Sequence, residues 1–237
     1  QTTEKVTFVL TCYIFRFLRR PQIEQLKQVM VWLDQAIEAA QQTNRRGEEL
    51  KHTRNKAMLL LGFWRGFRGD ELIGLRIEHV EITPNEGMTC YFPRTKGDRQ
   101  LKGSSFKAPA LSQLCPVSAY LAWIELSGLT SGPVFRSINQ WGHIGNDGLH
   151  KDSLIPLLRS LLTDAHIDLA AQYSAHSLRR GFATWATSNG WDIKTLMEYV
   201  GWKNMQSAMR YIEGADPFAK QRIERGISGH LTTPLIE

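Results

Sequence analysis

Cysteine is scarce in this chain of 237 residues: Cys12, Cys90 and Cys115 are far apart, odd in number and without a CxxC spacing. That pattern argues against a disulfide framework and gives a reduced, intracellular setting as the expectation. No apolar run approaches the roughly 20 residues of a membrane span. The nearest, VTFVLTCYIF at Val6–Phe15, is short, lacks a small-residue cleavage site and ends in RFLRR. It reads as a strand or arm packing on something, not as an export signal. Also missing are a GxxxxGK loop followed by Ser or Thr, a GxGxxG after a strand, HExxH and GxSxG. Nucleotide-driven, zinc-hydrolase and serine-esterase chemistry lose most of their support with them. There is no internal repeat, low-complexity tract or long linker.

What is present is an ordinary globular composition, 42% hydrophobic and 22% charged, which excludes a wholly disordered or coiled-coil chain. The length suits one large domain or two small ones. Lys and Arg number 29 against 23 Asp and Glu, a net charge of +6. Such a balance suits a polyanionic partner, although charge alone leaves nucleic acid at even odds.

Periodicity predicts a mainly helical chain carrying a small antiparallel sheet. Pro21 stands at a first helical turn, and Ile23, Leu26, Met30, Leu33 and Ile37 follow at spacings of three and four, an amphipathic helix. Thr43–Glu49 reads as its terminating loop, and a second, all-round apolar helix is predicted over about 54–64. HVEIT and MTCYF read as strands joined by a PNEG turn, with PRTKGDRQ as a second turn carrying Lys96 at its tip and LKGSSFKAP as a third strand. Helices resume at CPVSAYLAWIEL, with Pro116 in its first turn, and at KDSLIPLLRSLLTDA, capped by Asp152 or Ser153. AHSLRRGFATWATSNGW, DIKTLMEYV, NMQSAMRYI and a last segment, Asp216–Ile227, complete the pattern.

Polar breaks in these apolar helices carry the basic groups. Arg68 lies in GFRGDEL, just before Asp70 and Glu71, and taken alone reads as a salt-bridged surface residue. His176 and Arg179 are three apart and share a helical face. Arg180 points about 100° away from Arg179, toward packing, backbone phosphate or an acidic neighbour. Trp202 and Tyr211 singly pass as core aromatics with bonded polar tips.

Taken as an ordered set, GFRGDEL, TKG on a hairpin, HSLRRGFAT, VGW and a Tyr beyond one further helix resemble the tyrosine recombinase family of phage integrases and site-specific DNA recombinases. The resemblance covers about residues 21–226. It implies the catalytic-domain fold of that family, with Tyr211 as the nucleophile that forms a 3′-phosphotyrosyl link and frees a 5′-hydroxyl. A phenol with a pKa near ~10 is ionised in only about one molecule per thousand at neutral pH, so such a site must favour the phenolate. Arg68 and Arg179 would grip the non-bridging phosphate oxygens, since a guanidinium fork matches them bidentately. They would also stabilise the charge of the transition state. Lys96 resembles the general acid for the departing 5′-oxygen, with Lys102 and Lys107 as fallbacks should the hairpin register differ. His176 resembles the proton-transfer or phosphate-binding histidine. Trp202 stands where many relatives have a second histidine; its indole donates through N–H and cannot exchange a proton. Glu71 matches an acidic position that orients the basic cluster, and equally reads as an ordinary salt bridge.

The resemblance further implies double-stranded DNA as partner, a homotetramer on DNA, no ATP, no metal and no other cofactor, and a cytoplasmic, DNA-associated location. Arg180, Lys203, Arg94, Arg99 and Lys102 are the expected DNA contacts. Residues 1–20 are expected to be an arm or linker remnant and 21–215 the catalytic domain. Residues 216–237 are expected to form a helix and tail, either exchanged between protomers or folded back. The chain begins at Gln and places few residues before its first helix, so the smaller DNA-clamping domain of relatives is expected to be absent or reduced. Two other readings remain open: a non-catalytic helix-turn-helix regulator, suggested by DIKTLMEYVGWKNMQSAMRYI, and a type IB topoisomerase-like enzyme.

Overall fold

The three-and-four spacing after Pro21 produces helix α1 (Ile23–Gln42), which buries Leu26, Val29, Met30 and Leu33 on one side. Helix α2 (Arg46–Arg65) buries every residue from Ala57 to Arg65. It is the central helix, packed against α1 and against α4 (Pro116–Ser127). The computed structural model describes residues 23–93 and 103–212, which fall into two compact units, one through Phe182 and one from Ala183.

Helix α2 starts two turns earlier than the sequence pattern predicts. The loop expected at Thr43–Glu49 is confined to the turn before Arg46, where Asn44 takes a left-handed φ of 53°. The polar first turns of α2 hold as helix through Glu48 and Glu49 at its positive end and through ion pairs Arg46–Glu49 and Lys51–Glu48, both 3.0 Å. An apolar-periodicity reading cannot see such a start.

At the other end of α2, Gly66 adopts φ 58°, ψ 37°, and its N–H returns to Phe63 O (3.1 Å). This left-handed cap, cheap only for glycine, turns the chain into the short helix α3 (Gly69–Ile73). The predicted sheet follows as β1 (Val80–Thr83), β2 (Gly87–Phe92) and β3 (Ser104–Pro109), antiparallel in that order. Along β2, Met88, Cys90 and Phe92 are buried and Tyr91 is exposed, the strict alternation of a half-buried strand. Register is fixed by Val80 opposite Cys90 and Cys90 opposite Phe106.

Helix α4 begins at Pro116 as predicted, and Cys115 caps it: its sulfur accepts from Ser118 N–H (3.3 Å). Trp123 of α4 is fully buried and donates Nε1–H to Val134 O (2.8 Å). A second hairpin, β4 (Arg136–Ile138) with β5 (Ile144–Gly148), was not predicted. Its strands are short and irregular, and it is tied to the core by Arg54 of α2, whose Nη1–H donates to Arg136 O (2.8 Å). Burial pulls the Arg54 guanidinium down to a pKa of about 10.

Helix α5 (Leu154–Asp164) is present, but neither expected cap acts as one. Ser153 precedes it without a side-chain hydrogen bond, and Asp152 instead donates its N–H to His150 Nδ1 (3.3 Å) in a short 3-10 turn. Helix α6 (Ala175–Ser188) follows. The unit from Ala183 contains the rest of α6 together with α7 (Ile193–Val200) and α8 (Met205–Ile212), which pack on each other. No helix among the described residues is long and apolar enough to cross a membrane.

Candidate nucleic-acid strand-transfer site

The turn that leaves α2 puts Arg68 at the residue before α3, in extended conformation. Three residues on, Glu71 folds back: its Oε2 accepts the Arg68 backbone N–H (2.8 Å), and its Oε1 accepts from Arg68 Nη1 (2.7 Å). The first bond is the return half of a capping box, which satisfies a donor that the helix start leaves open. Glu71 is thus both the cap of α3 and the ionic partner of Arg68. It is 7% exposed, whereas Arg68 keeps 34% of its side chain open.

Arg179 arrives from α6. The segment before this helix is pinned twice: Arg159 Nε–H donates to Tyr173 O (2.9 Å), and the buried Tyr173 donates its hydroxyl to Gln25 (2.9 Å). Ser177 Oγ then accepts the Ser174 N–H (2.9 Å), and the Ser177 N–H donates to Ser174 O (2.9 Å), in a helix start written SAHS. So anchored, α6 sends Arg179 inward and leaves His176, one turn earlier, exposed. The Arg179 side chain is 2% exposed; its Nη1–H donates to Gly66 O (2.8 Å) and lies 3.9 Å from Glu71 Oε2. Two guanidinium groups from separate parts of the sequence therefore converge on one buried carboxylate. Arginine stays charged under all ordinary conditions, so this arrangement is a fixed positive centre, suited to an anion that presents several oxygens.

Of the residues singled out from sequence, Arg68, Glu71 and Arg179 are brought together. Arg180, next on α6, is half-buried. Lys107, the fallback in β3, is exposed opposite Thr89. Lys96, Arg94, Arg99 and Lys102 lie outside the described residues, as do the arm at 1–20 and the last helix expected at 216–227.

In the unit from Ala183, the VGW motif has a clear local cause. Asp192 caps α7 through Thr195 N–H (2.9 Å), and Gly201 ends it with φ 75°. The Trp202 N–H then reaches back to Met197 O (2.8 Å), which fixes how Trp202 enters its buried position. Lys203 is exposed, Asn204 Oδ1 caps the start of α8 by accepting from Gln206 N–H (2.8 Å), and Tyr211 is the penultimate residue of that helix. Sequence reasoning missed the Gly66 carbonyl and the Ser174–Ser177 cap. The glycine closing an apolar helix and the SxxS spacing were the available signals.

Residues 33–216 match the phage integrase family. The chain is 31% identical over 180 residues to an integrase/recombinase xerD homolog of Selenomonas ruminantium, covering 75% of this chain and 52% of that protein. It is 25% identical over 213 residues to the tyrosine recombinase XerD of Brucella melitensis, covering 89% and 63%. The chain thus spans between half and two thirds of the length of these relatives. Among solved structures, a XerH site-specific recombinase bound to difH substrate aligns with a TM-score of 0.62 at 19% identity, over 89% of this chain and 53% of that one. A XerA recombinase aligns with a TM-score of 0.59 at 19% identity, over 91% and 64%. The fold, mainly helical with a small antiparallel sheet, is the one these recombinases share. By its family match, its relatives and its fold, the chain belongs to the phage integrase family.

Proposed function

We propose that this chain carries the strand-cleaving and rejoining part of a site-specific DNA recombinase acting through a 3′-phosphotyrosyl intermediate. The observation that carries the reading is the Arg68–Glu71–Arg179 cluster, in which two arginines of the family's ordered motif set converge on one buried carboxylate. A DNA-binding regulator has no use for that arrangement.

In this reading double-stranded DNA is the substrate, and the XerH relative, solved with difH substrate in a post-cleavage complex, supports that choice. Arg68 and Arg179 hold the non-bridging oxygens of the scissile phosphate, and their field lowers the cost of the Tyr211 phenolate. The phenolate oxygen bonds to phosphorus while the bond to the 5′-oxygen breaks. Lys96 supplies the proton that the leaving oxygen takes up, and His176 serves proton transfer at the phosphate. Trp202 packs beside the phosphate and donates its indole N–H. Phosphodiester energy is kept in the tyrosyl link, so the 5′-hydroxyl of another strand reverses the step without ATP or metal. Arg180, Lys203, Arg94, Arg99 and Lys102 contact DNA backbone. The working assembly is a homotetramer on DNA, with residues 216–237 exchanged between protomers.

The test is covalent trapping. A library of nicked duplexes with randomised arms, from which the short cleaved fragment diffuses away, is expected to give a protein–DNA adduct that a chelator does not reduce. Absence of an adduct across the library refutes the reading. Loss of the adduct on chelation refutes its metal-free form.

A further inference from the structure

Four consecutive residues at the end of α2 have four different anchors. The Arg65 guanidinium lies over the Phe106 ring, 4.8 Å from its centre. Gly66 turns left-handed and offers its carbonyl to Arg179. Phe67 stands edge-to-face between Phe92 (5.3 Å) and Phe106 (5.9 Å), one from each of two adjacent strands. Arg68 is held by Glu71. The backbone at Gly66 is therefore fixed from both sides, and its oxygen is a rigid acceptor rather than a loop atom that happens to be near.

The choice of acceptor matters electrostatically. Glu71 already spends both oxygens on Arg68, one on the side chain and one on the backbone N–H, and lies 3.9 Å from Arg179 Nη1. The Gly66 carbonyl is closer, at 2.8 Å. A carboxylate that captured Arg179 in a bidentate pair would neutralise it and occupy the fork that must meet phosphate. A carbonyl fixes one nitrogen and leaves the full charge in place. We propose that the main-chain carbonyl of Gly66 is a positioning group: it holds Arg179 away from a closed pair with Glu71 and thereby keeps its guanidinium aimed for phosphate. This rests on the strand-transfer reading above.

The perturbation that reaches this atom without adding bulk is an amide-to-ester replacement at Phe67, using the matching α-hydroxy acid, since an ester carbonyl is a weaker acceptor. The same replacement at Leu61, in the body of α2, serves as control for general loss of stability. With the randomised nicked-duplex library, the initial rate of adduct formation at saturating DNA is expected to fall about three- to ten-fold in the Phe67 ester, as for one weakened hydrogen bond to a charged group. The half-saturating DNA concentration should stay within two-fold, and the Leu61 ester should cleave like the parent. NMR of the arginine side-chain nitrogens, with Arg179 assigned by its loss in Arg179→Lys, should show a shifted Arg179 signal in the Phe67 ester alone. An unshifted signal overturns the proposal, as does a rate that falls equally in both esters or in neither. If the parent gives no adduct at all, the strand-transfer reading fails. The Arg179 signal then still decides whether the Gly66 carbonyl holds that side chain.

Discussion

Removing Glu71 should separate holding DNA from cutting it. In Glu71→Ala three contributions disappear together. The Arg68 ion pair contributes about 1 kcal/mol, because Arg68 is one third exposed and screened by water. The return cap on the Arg68 N–H adds about 1 kcal/mol. Taking the carboxylate away from the buried Arg179 costs a further ~1 kcal/mol, well below the cost of breaking a close buried pair because the separation is 3.9 Å. The total is about 3 kcal/mol, or a melting temperature lower by about 6–12 °C for a chain of this size. Glu71→Gln keeps an acceptor for the backbone N–H and should lose roughly half as much. DNA affinity should not fall in either variant, since a negative charge has left an anion-binding centre. Adduct formation should nevertheless slow by about 10- to 100-fold, the effect of misaligned arginines. Thermal unfolding followed by circular dichroism, fluorescence anisotropy with duplex DNA and single-turnover trapping read the three quantities. A Glu71→Ala protein that melts within a degree of the parent, or cleaves at the parent rate, refutes the reasoning.

Two further outcomes follow from named contacts. Arg179→Lys should cut the cleavage rate about 100-fold, because a lysine cannot supply the fork aimed at developing charge, while Arg180→Lys should change it only a few-fold; equal losses would contradict their separation on α6. His52, packed edge-on against Trp32 and 3.6 Å from Glu48, has its pKa lowered by burial and, less, by Lys51 and Arg45, against the opposing pull of Glu48 and Asp164. The folded state thus binds its proton less well than the unfolded chain. The stability it contributes is full above the ordinary histidine pKa of about 6.5 and is lost as pH falls below it. The melting temperature should therefore drop from pH 7 to 5 more steeply in the parent than in His52→Gln, and parallel curves would refute the assignment.

Much of the fold was legible because burial imposes period. The spacing of Leu26, Met30 and Leu33, the alternation of Met88, Cys90 and Phe92, and Pro116 at a helix start each have a single structural reading. The polar start of α2 was not legible, since its support is ion pairs and the helix dipole, which leave no apolar trace. The β4–β5 hairpin escaped for a related reason: its strands are three and five residues long, its register shifts between Arg136 and Ile138, and a distant Arg54 ties it down. At the site, Arg68, Glu71 and Arg179 could be named from the ordered motifs. That Gly66 contributes an oxygen is signalled only indirectly, by a glycine closing an apolar helix, because a backbone carbonyl has no letter of its own in a sequence.

The central claim is that Tyr211 becomes joined to the 3′-end of a cut strand. Trypsin digestion of the trapped adduct, followed by nuclease trimming and mass spectrometry, should find the nucleotide on the peptide that runs from Tyr211 to Lys220, attached at Tyr211. Tyr211→Phe should bind the same duplex and give no adduct. A nucleotide on any other residue, or an adduct that persists in Tyr211→Phe, would contradict the account.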